Sequence, residues 1–332
     1  MNRTALDQYE ELVTDALKSC SAKLRKSFKT AFIQLMILYM VLPRKINFTQ
    51  MGRYSDSSGQ RFRQLFERKF DWMQFNLFLM RQRFGESVRK AIAIDVSYIS
   101  KSGKKTPYIG KFWSGCASQV KRGVEILGIG IIDIDRRDCM MPPCGMHMTV
   151  SAQASVDGRV SKAGRLIFEK LDLQRCEIRD IEGGRAYSVK AYSKAMKRNI
   201  KVVVHYPESG GHKIYFSTDL DMSARDIIEY YRTRFQIEFC FRDSKQFTGL
   251  NDCQARDLKK LDFAFNASLT SVNIAKVMRK RYYPSLSIGL LKAYLSNTYI
   301  LKRIFSKSGL KPNRTFNTKL IKELFGIVAE AA

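Results

Sequence analysis

The chain has 332 residues, 45% of them hydrophobic and 11% aromatic, which excludes a disordered protein and allows two or three domains with cores of their own. Its 58 Lys and Arg against 31 Asp and Glu leave a net charge of +27, a self-repulsion that calls for a polyanionic partner: nucleic acid first, anionic membrane second. Seven cysteines without a Cys-x2-Cys pair argue against zinc and for a reducing, cytoplasmic compartment.

Residues 1–84 read as helical, with apolar side chains at three- and four-residue spacing as far as Pro43. The N-terminus MNRTALDQYEELV is polar and amphipathic, unlike a secretory leader. The longest apolar run, FIQLMILYMVL at 32–42, is too short to span a bilayer and reads as a buried helix, so no membrane is expected. A Ser/Asp/Gly turn at 55–59 then separates two short helical stretches, the second carrying Arg61, Arg63, Arg68 and Lys69. This fits a DNA-reading helix-turn-helix, and equally a plain helical hairpin with a solvated basic face. Residues 1–90 hold 17 basic and 8 acidic residues, and 255–332 hold 15 and 4. A surplus spread along the chain suits an extended contact with a phosphate backbone.

Sheet follows. KAIAIDVSYI is a β-branched strand with one carboxylate, Asp95, set among apolar residues, where it needs a partner such as a metal ion. A basic, Gly-rich loop or hairpin leads to a second strand, VEILGIGIIDID, rich in Ile and Gly. Residues 138–165 lack a period and read as an irregular linker. RAYSVKAY, KVVVHY and KIYFSTD are the next strands. One long helix is expected over 223–247, with Ser223 as N-cap and Asp226 three residues on. The remainder is helical and ends in a basic tail. His147, His205 and His212 are far apart, show no ligand spacing, and read as structural.

Within the helix at 223–247, Tyr231, Arg234, Glu238 and Lys245 fall within an arc of about 60° at ~100° per residue. An arbitrary helix with such a stripe carries a solvated, salt-bridged face. Asp95, the net charge and the mixture of one acid, two bases and a phenol point instead to phosphate chemistry. There the acid holds a divalent cation and the bases clamp phosphate oxygens.

The spacing Tyr-x2-Arg-x3-Glu-x6-Lys resembles the YREK signature of the insertion-sequence-four family of DDE transposases. YFSTDL, QIEFCFRDSKQFTGL, AIDVSYI with GKFWSG, and FNASLTSVNIAK are also similar to that family, so the likeness extends from about residue 47 to 280. The resemblance implies an α/β fold with an RNase H-like core. It implies a helical DNA-binding domain at 1–84, the core at 85–250 and a helical C-terminal region at 251–332. Two Mg²⁺ or Mn²⁺ ions would serve cut-and-paste transposition at the element's ends, in the bacterial nucleoid. Asp95 would be the first metal-binding Asp and Glu238 the closing acid. Tyr231, Arg234 and Lys245 would hold terminal DNA phosphates, with two ends commonly paired in a homodimer.

The family's second Asp has no convincing equivalent. Asp133 and Asp135 come too early, directly after the Asp95 hairpin, and Asp219 too late. The Met/Cys/Pro-rich composition at 138–165 suggests internal shortening that removed this ligand. Three readings therefore stand: an active transposase, a non-catalytic DNA-binding remnant that occupies element ends, or an RNase H-like nuclease without end preference.

Overall fold

The computed structural model describes residues 4–21, 23–43, 45–85, 89–114, 118–142, 176–181, 183–193 and 196–309. In chain order the elements are α1 (Ala5–Lys18), α2 (Lys26–Val41), α3 (Phe48–Arg53), α4 (Gly59–Leu65) and α5 (Trp72–Phe84), then β1 (Lys90–Ser100), β2 (Gly110–Ser114), β3 (Gln119–Asp133) and β4 (Asp138–Met140). After these come β5 (Glu177–Ile181), β6 (Gly184–Ser193), β7 (Arg198–Pro207), β8 (Lys213–Ser217), α6 (Ala224–Thr233), α7 (Gln236–Phe247), α8 (Leu258–Tyr282) and α9 (Ile288–Ser308). The chain divides into two compact units: residues 1–133, 139–151 and 237–332 form the first, and 134–138 with 152–236 the second. Among the described residues, no helix is long and apolar enough to cross a membrane.

In the first unit, the apolar run at 32–42 becomes α2, the buried helix its composition requires. Phe32, Leu35, Met36, Leu38 and Met40 are all fully buried. Helix α8 is buried along most of its length, from Leu261 to Met278. Much of that buried surface is polar, because FNASLTSVNIAK supplies a hydrogen-bond network. The Asn273 amide donates to Asn76 Oδ1 and to the Met141 carbonyl, each at 2.7 Å, and accepts from the Met141 N–H at 3.3 Å. Asn76 in turn donates to Thr270 Oγ1 and the Trp72 carbonyl. Buried polar groups are tolerated when each finds a partner, and stranding one costs about 1–3 kcal/mol. Asn273→Ala is therefore expected to lower stability by about 2 kcal/mol, read as the denaturant midpoint of unfolding. An unchanged midpoint would show that the network is dispensable.

The sheet of this unit has the order β1-β3-β2, with β4 pairing β3 as well. Strands β1 and β3 are antiparallel from Lys90↔Asp133 to Ser100↔Gly123, which sets Asp95 opposite Gly128. Side chains alternate across a strand. Ala93, Asp95, Ser97 and Ile99 face inward, while Ile92, Ile94 and Val96 face outward and are exposed.

The second unit is an antiparallel meander, β5-β6-β7-β8, with α6 on one face. Ala186, Val203 and Tyr215 pack there against Ala224, Ile227 and Ile228. Ser223 caps α6, its hydroxyl accepting from the Asp226 N–H at 3.0 Å. His205 lies on the strand face that α6 covers, two residues from Val203. It is 1% exposed, and neither ring nitrogen has a hydrogen-bond partner among the described residues. Burial first, and the cations Arg232 and Lys213 second, hold the imidazole below its ordinary 6.5. The unfolded chain therefore takes up this proton more readily than the folded one. The stability that neutral His205 contributes is complete above pH 6.5 and is lost as pH falls below it. Thermal unfolding is expected to show a falling midpoint between pH 7 and about 5, with the fall reduced in His205→Leu. An identical slope in the variant would assign the effect to other groups.

Candidate active site

Asp95 and Glu238 belong to the same unit, and the pairing of β3 with helix α7 explains how they are arranged. A Cβ built on Gly128 would lie 2.3 Å from Phe241 Cζ and 2.4 Å from Met141 Cε, and one on Gly130 would lie 3.3 Å from Ile237 Cδ1 and 2.6 Å from Cys139 Sγ. Two glycines thus let α7 approach the inner face of β3 more closely than any side chain would permit. Gly128 is the cross-strand partner of Asp95, and Gly130 that of Ala93. Helix α7 therefore crosses the sheet at the level of the strand residues 93–95.

The helix orientation fixes which flank Glu238 occupies. Ile237 and Phe241 point down at β3. Cys240 points toward β4, its Sγ donating to the Cys139 carbonyl at 3.3 Å. Strand β4 sits on the edge of β3 opposite β1. At ~100° per residue, Cys240 lies about 60° to one side of Ile237, and Glu238 and Lys245 lie about 80–100° to the other. Glu238 and Lys245 thus share the flank of α7 on the β1 side, where Asp95 lies half-buried. Glu238 is in the first turn of α7, where the helix macrodipole favours a negative charge.

The single helix expected over 223–247 is two helices. Helix α6 ends at Thr233, whose hydroxyl donates to the Tyr230 carbonyl at 2.8 Å, and α7 begins at Gln236. The Arg234 N–H bonds back to the Tyr231 carbonyl at 3.2 Å, a tightened final turn. The stripe drawn on an unbroken helix is therefore corrected. Tyr231 and Arg234 end the helix of the second unit, and Glu238 and Lys245 lie on the helix of the first. Arg234 stacks over Tyr231 and Phe235 at 5.6 and 5.5 Å, and Tyr231 meets Tyr215 edge-on at 5.0 Å.

The three aspartates weighed for the second ligand lie in three different places. Asp133 is five positions along β3 from Gly128, roughly 17 Å at ~3.4 Å per residue, and on the opposite face by alternation. Asp135 is exposed in the turn between β3 and β4. Asp219 closes an Asx turn ahead of α6, its Oδ1 accepting from the N–H groups of Asp221 and Met222 at 3.0 and 3.3 Å. Among the described residues, no three His, Cys, Asp or Glu side chains come together to hold a metal ion. The composition-based expectation of an irregular stretch at 138–165 falls largely outside the described residues; its first three form β4.

Arg61 and Arg63 are exposed on α4, and Arg68 and Lys69 lie beyond its end. Helices α3 and α4 meet through glycines: a Cβ on Gly52 would lie 2.8 Å from the Gly59 nitrogen, and one on Gly59 would lie 2.6 Å from the Phe48 carbonyl oxygen.

Comparison with known families matches the chain to the transposase DDE domain over residues 98–274, more than half its length. The chain belongs to that family. The match starts three residues after Asp95 and takes in β3, both units' helices α6 and α7, and most of α8. No curated protein matches. Family membership accounts for the mixed fold of antiparallel sheets and helices, and makes this a transposase of the DDE class.

Proposed function

We propose that this transposase belongs to the insertion-sequence-four branch, binds the ends of its own mobile element, and cuts them using Asp95 and Glu238 as the protein ligands of Mg²⁺ or Mn²⁺. The observation that carries this reading is the passage made by Gly128 and Gly130. It admits α7 to the sheet at the level of Asp95, and the helical turn supports a position for Glu238 on the flank toward β1. Two carboxylates fit the demand of magnesium, which takes oxygen ligands and is usually held by one or two carboxylates, with water and substrate phosphates completing its shell. When bound, the cation would polarise the scissile phosphate and activate the attacking water or 3′-hydroxyl.

The remaining chemistry falls to the chain's own groups. Lys245, two turns beyond Glu238 on the same flank, would pair with a phosphate oxygen near the cut. Arg234, stacked on Tyr231, would present a planar donor fork to the strand end. Arg61 and Arg63 would add contacts along the duplex, and the net charge of +27 would drive association. Labelled element-end DNA incubated with Mg²⁺ or Mn²⁺ tests the reading: cleavage by the wild type and none by Glu238→Gln supports it.

A second reading, a DNA-binding remnant that occupies ends without cutting them, is favoured by the position of Asp133, on the face of β3 opposite that of Gly128, and by the Asx turn that Asp219 closes. It predicts equal, salt-sensitive binding by both proteins and no cleavage by either.

A further inference from the structure

The first unit contains a cavity of about 760 Å³, lined by no residue of β1 or α7, between the α3–α4 hairpin and the segment that leads into α8. That size lies within the ordinary range of small-molecule sites, roughly 300–1,000 Å³. One wall is aromatic. Phe48 is half-buried and meets Phe66 edge-on at 4.9 Å, and Phe66 is braced against Phe263 of α8 at 4.8 Å. The Arg63 guanidinium lies over the Phe48 ring at 5.8 Å. The lining also carries Arg256 and Lys260, and its one carboxylate, Asp257, accepts from the Lys260 N–H at 3.1 Å as the N-cap of α8. Lys260 Nζ also pairs with Glu67 at 2.8 Å, which fixes its stem along the rim.

Aromatic and cationic side chains lining one cavity match a ligand that joins an aromatic ring to an anion. Bases stack on phenyl rings and on guanidinium planes, and phosphates pair with Arg and Lys. We propose that this cavity binds one nucleotide, its base against Phe48 and Arg63 and its phosphate against Arg256 and Lys260. The nucleotide is either free or the unpaired end of a DNA strand. This site shares no residue with Asp95 and Glu238, so it stands or falls independently of the cleavage reading.

The test titrates the full chain with two probes, thymidine monophosphate and a 5′-phosphorylated oligothymidylate of five nucleotides, by calorimetry. At least one probe is expected to bind, and the tighter one identifies the source of the nucleotide. Arg256→Ala should weaken that probe about tenfold, and Phe48→Ala about fivefold or more, through lost charge and lost stacking respectively. Lys259→Ala removes an equal charge from an exposed neighbour outside the cavity and should leave binding within about twofold. Arg256 is itself exposed, so its replacement leaves the core intact and keeps the test decisive even where Phe48→Ala unfolds. Binding of neither probe at millimolar concentration, or equal losses in Arg256→Ala and Lys259→Ala, would overturn the proposal.

Discussion

Glu238→Gln is expected to reduce metal-dependent cleavage of element-end DNA by on the order of 10³-fold or more, while leaving DNA binding within about twofold. The substitution keeps the shape of the side chain and removes only its charge. Glu238 lies on the flank of α7, outside the contact that Ile237 and Phe241 make with the glycines of β3, so packing is undisturbed. Binding is dominated by the chain's surplus of 27 positive charges, to which one carboxylate matters little. Asp95→Asn should behave in the same way. Gel-based cleavage measured beside fluorescence-anisotropy binding separates the two effects. A variant that still cuts at the wild-type rate would remove Glu238 from the chemistry.

Gly128→Val is the second large effect. Its first side-chain atom would fall 2.3 Å from the Phe241 ring and 2.4 Å from the Met141 methyl, both groups packed in a buried layer. Overpacking of this kind costs about 1–3 kcal/mol, occasionally more, and a branched side chain belongs at the upper end. The same shift would lift α7 from the sheet, and misplacement of catalytic groups by about 1 Å can cost 10²-fold in rate. The expected result is a variant that unfolds at lower denaturant and, where still folded, binds DNA but cuts it poorly. A variant with unchanged midpoint and activity would show that α7 does not depend on this close approach.

Much of the fold was legible because its signals are local. The β-branched runs at 90–99, 124–135 and 213–219 announced strands, and the apolar run at 32–42 announced a buried helix. The break at Arg234 and Phe235 was not legible. Neither residue is Gly or Pro, and offsets of 3, 4 and 7 fit an unbroken helix equally well. The break becomes visible through the Thr233 and Arg234 hydrogen bonds. Gly128 and Gly130 were visible as an Ile/Gly-rich strand, but their purpose depends on a helix more than 100 residues away. Asp219 could have been read more fully. An Asp ahead of a Ser cap is a familiar turn former, and the hydrogen bonds to Asp221 and Met222 give it that role. The buried polar face of α8 escaped periodicity arguments because its Asn, Ser and Thr residues read as a solvent face until their partners are known.

Asp95 and Glu238 are proposed to hold the divalent cation jointly. The most direct test titrates Mn²⁺ into the full chain bound to element-end DNA and follows the metal's electron paramagnetic resonance signal. Saturable binding by the wild type that is lost in both Asp95→Asn and Glu238→Gln is the result expected. The same Mn²⁺ affinity in all three proteins would contradict the claim.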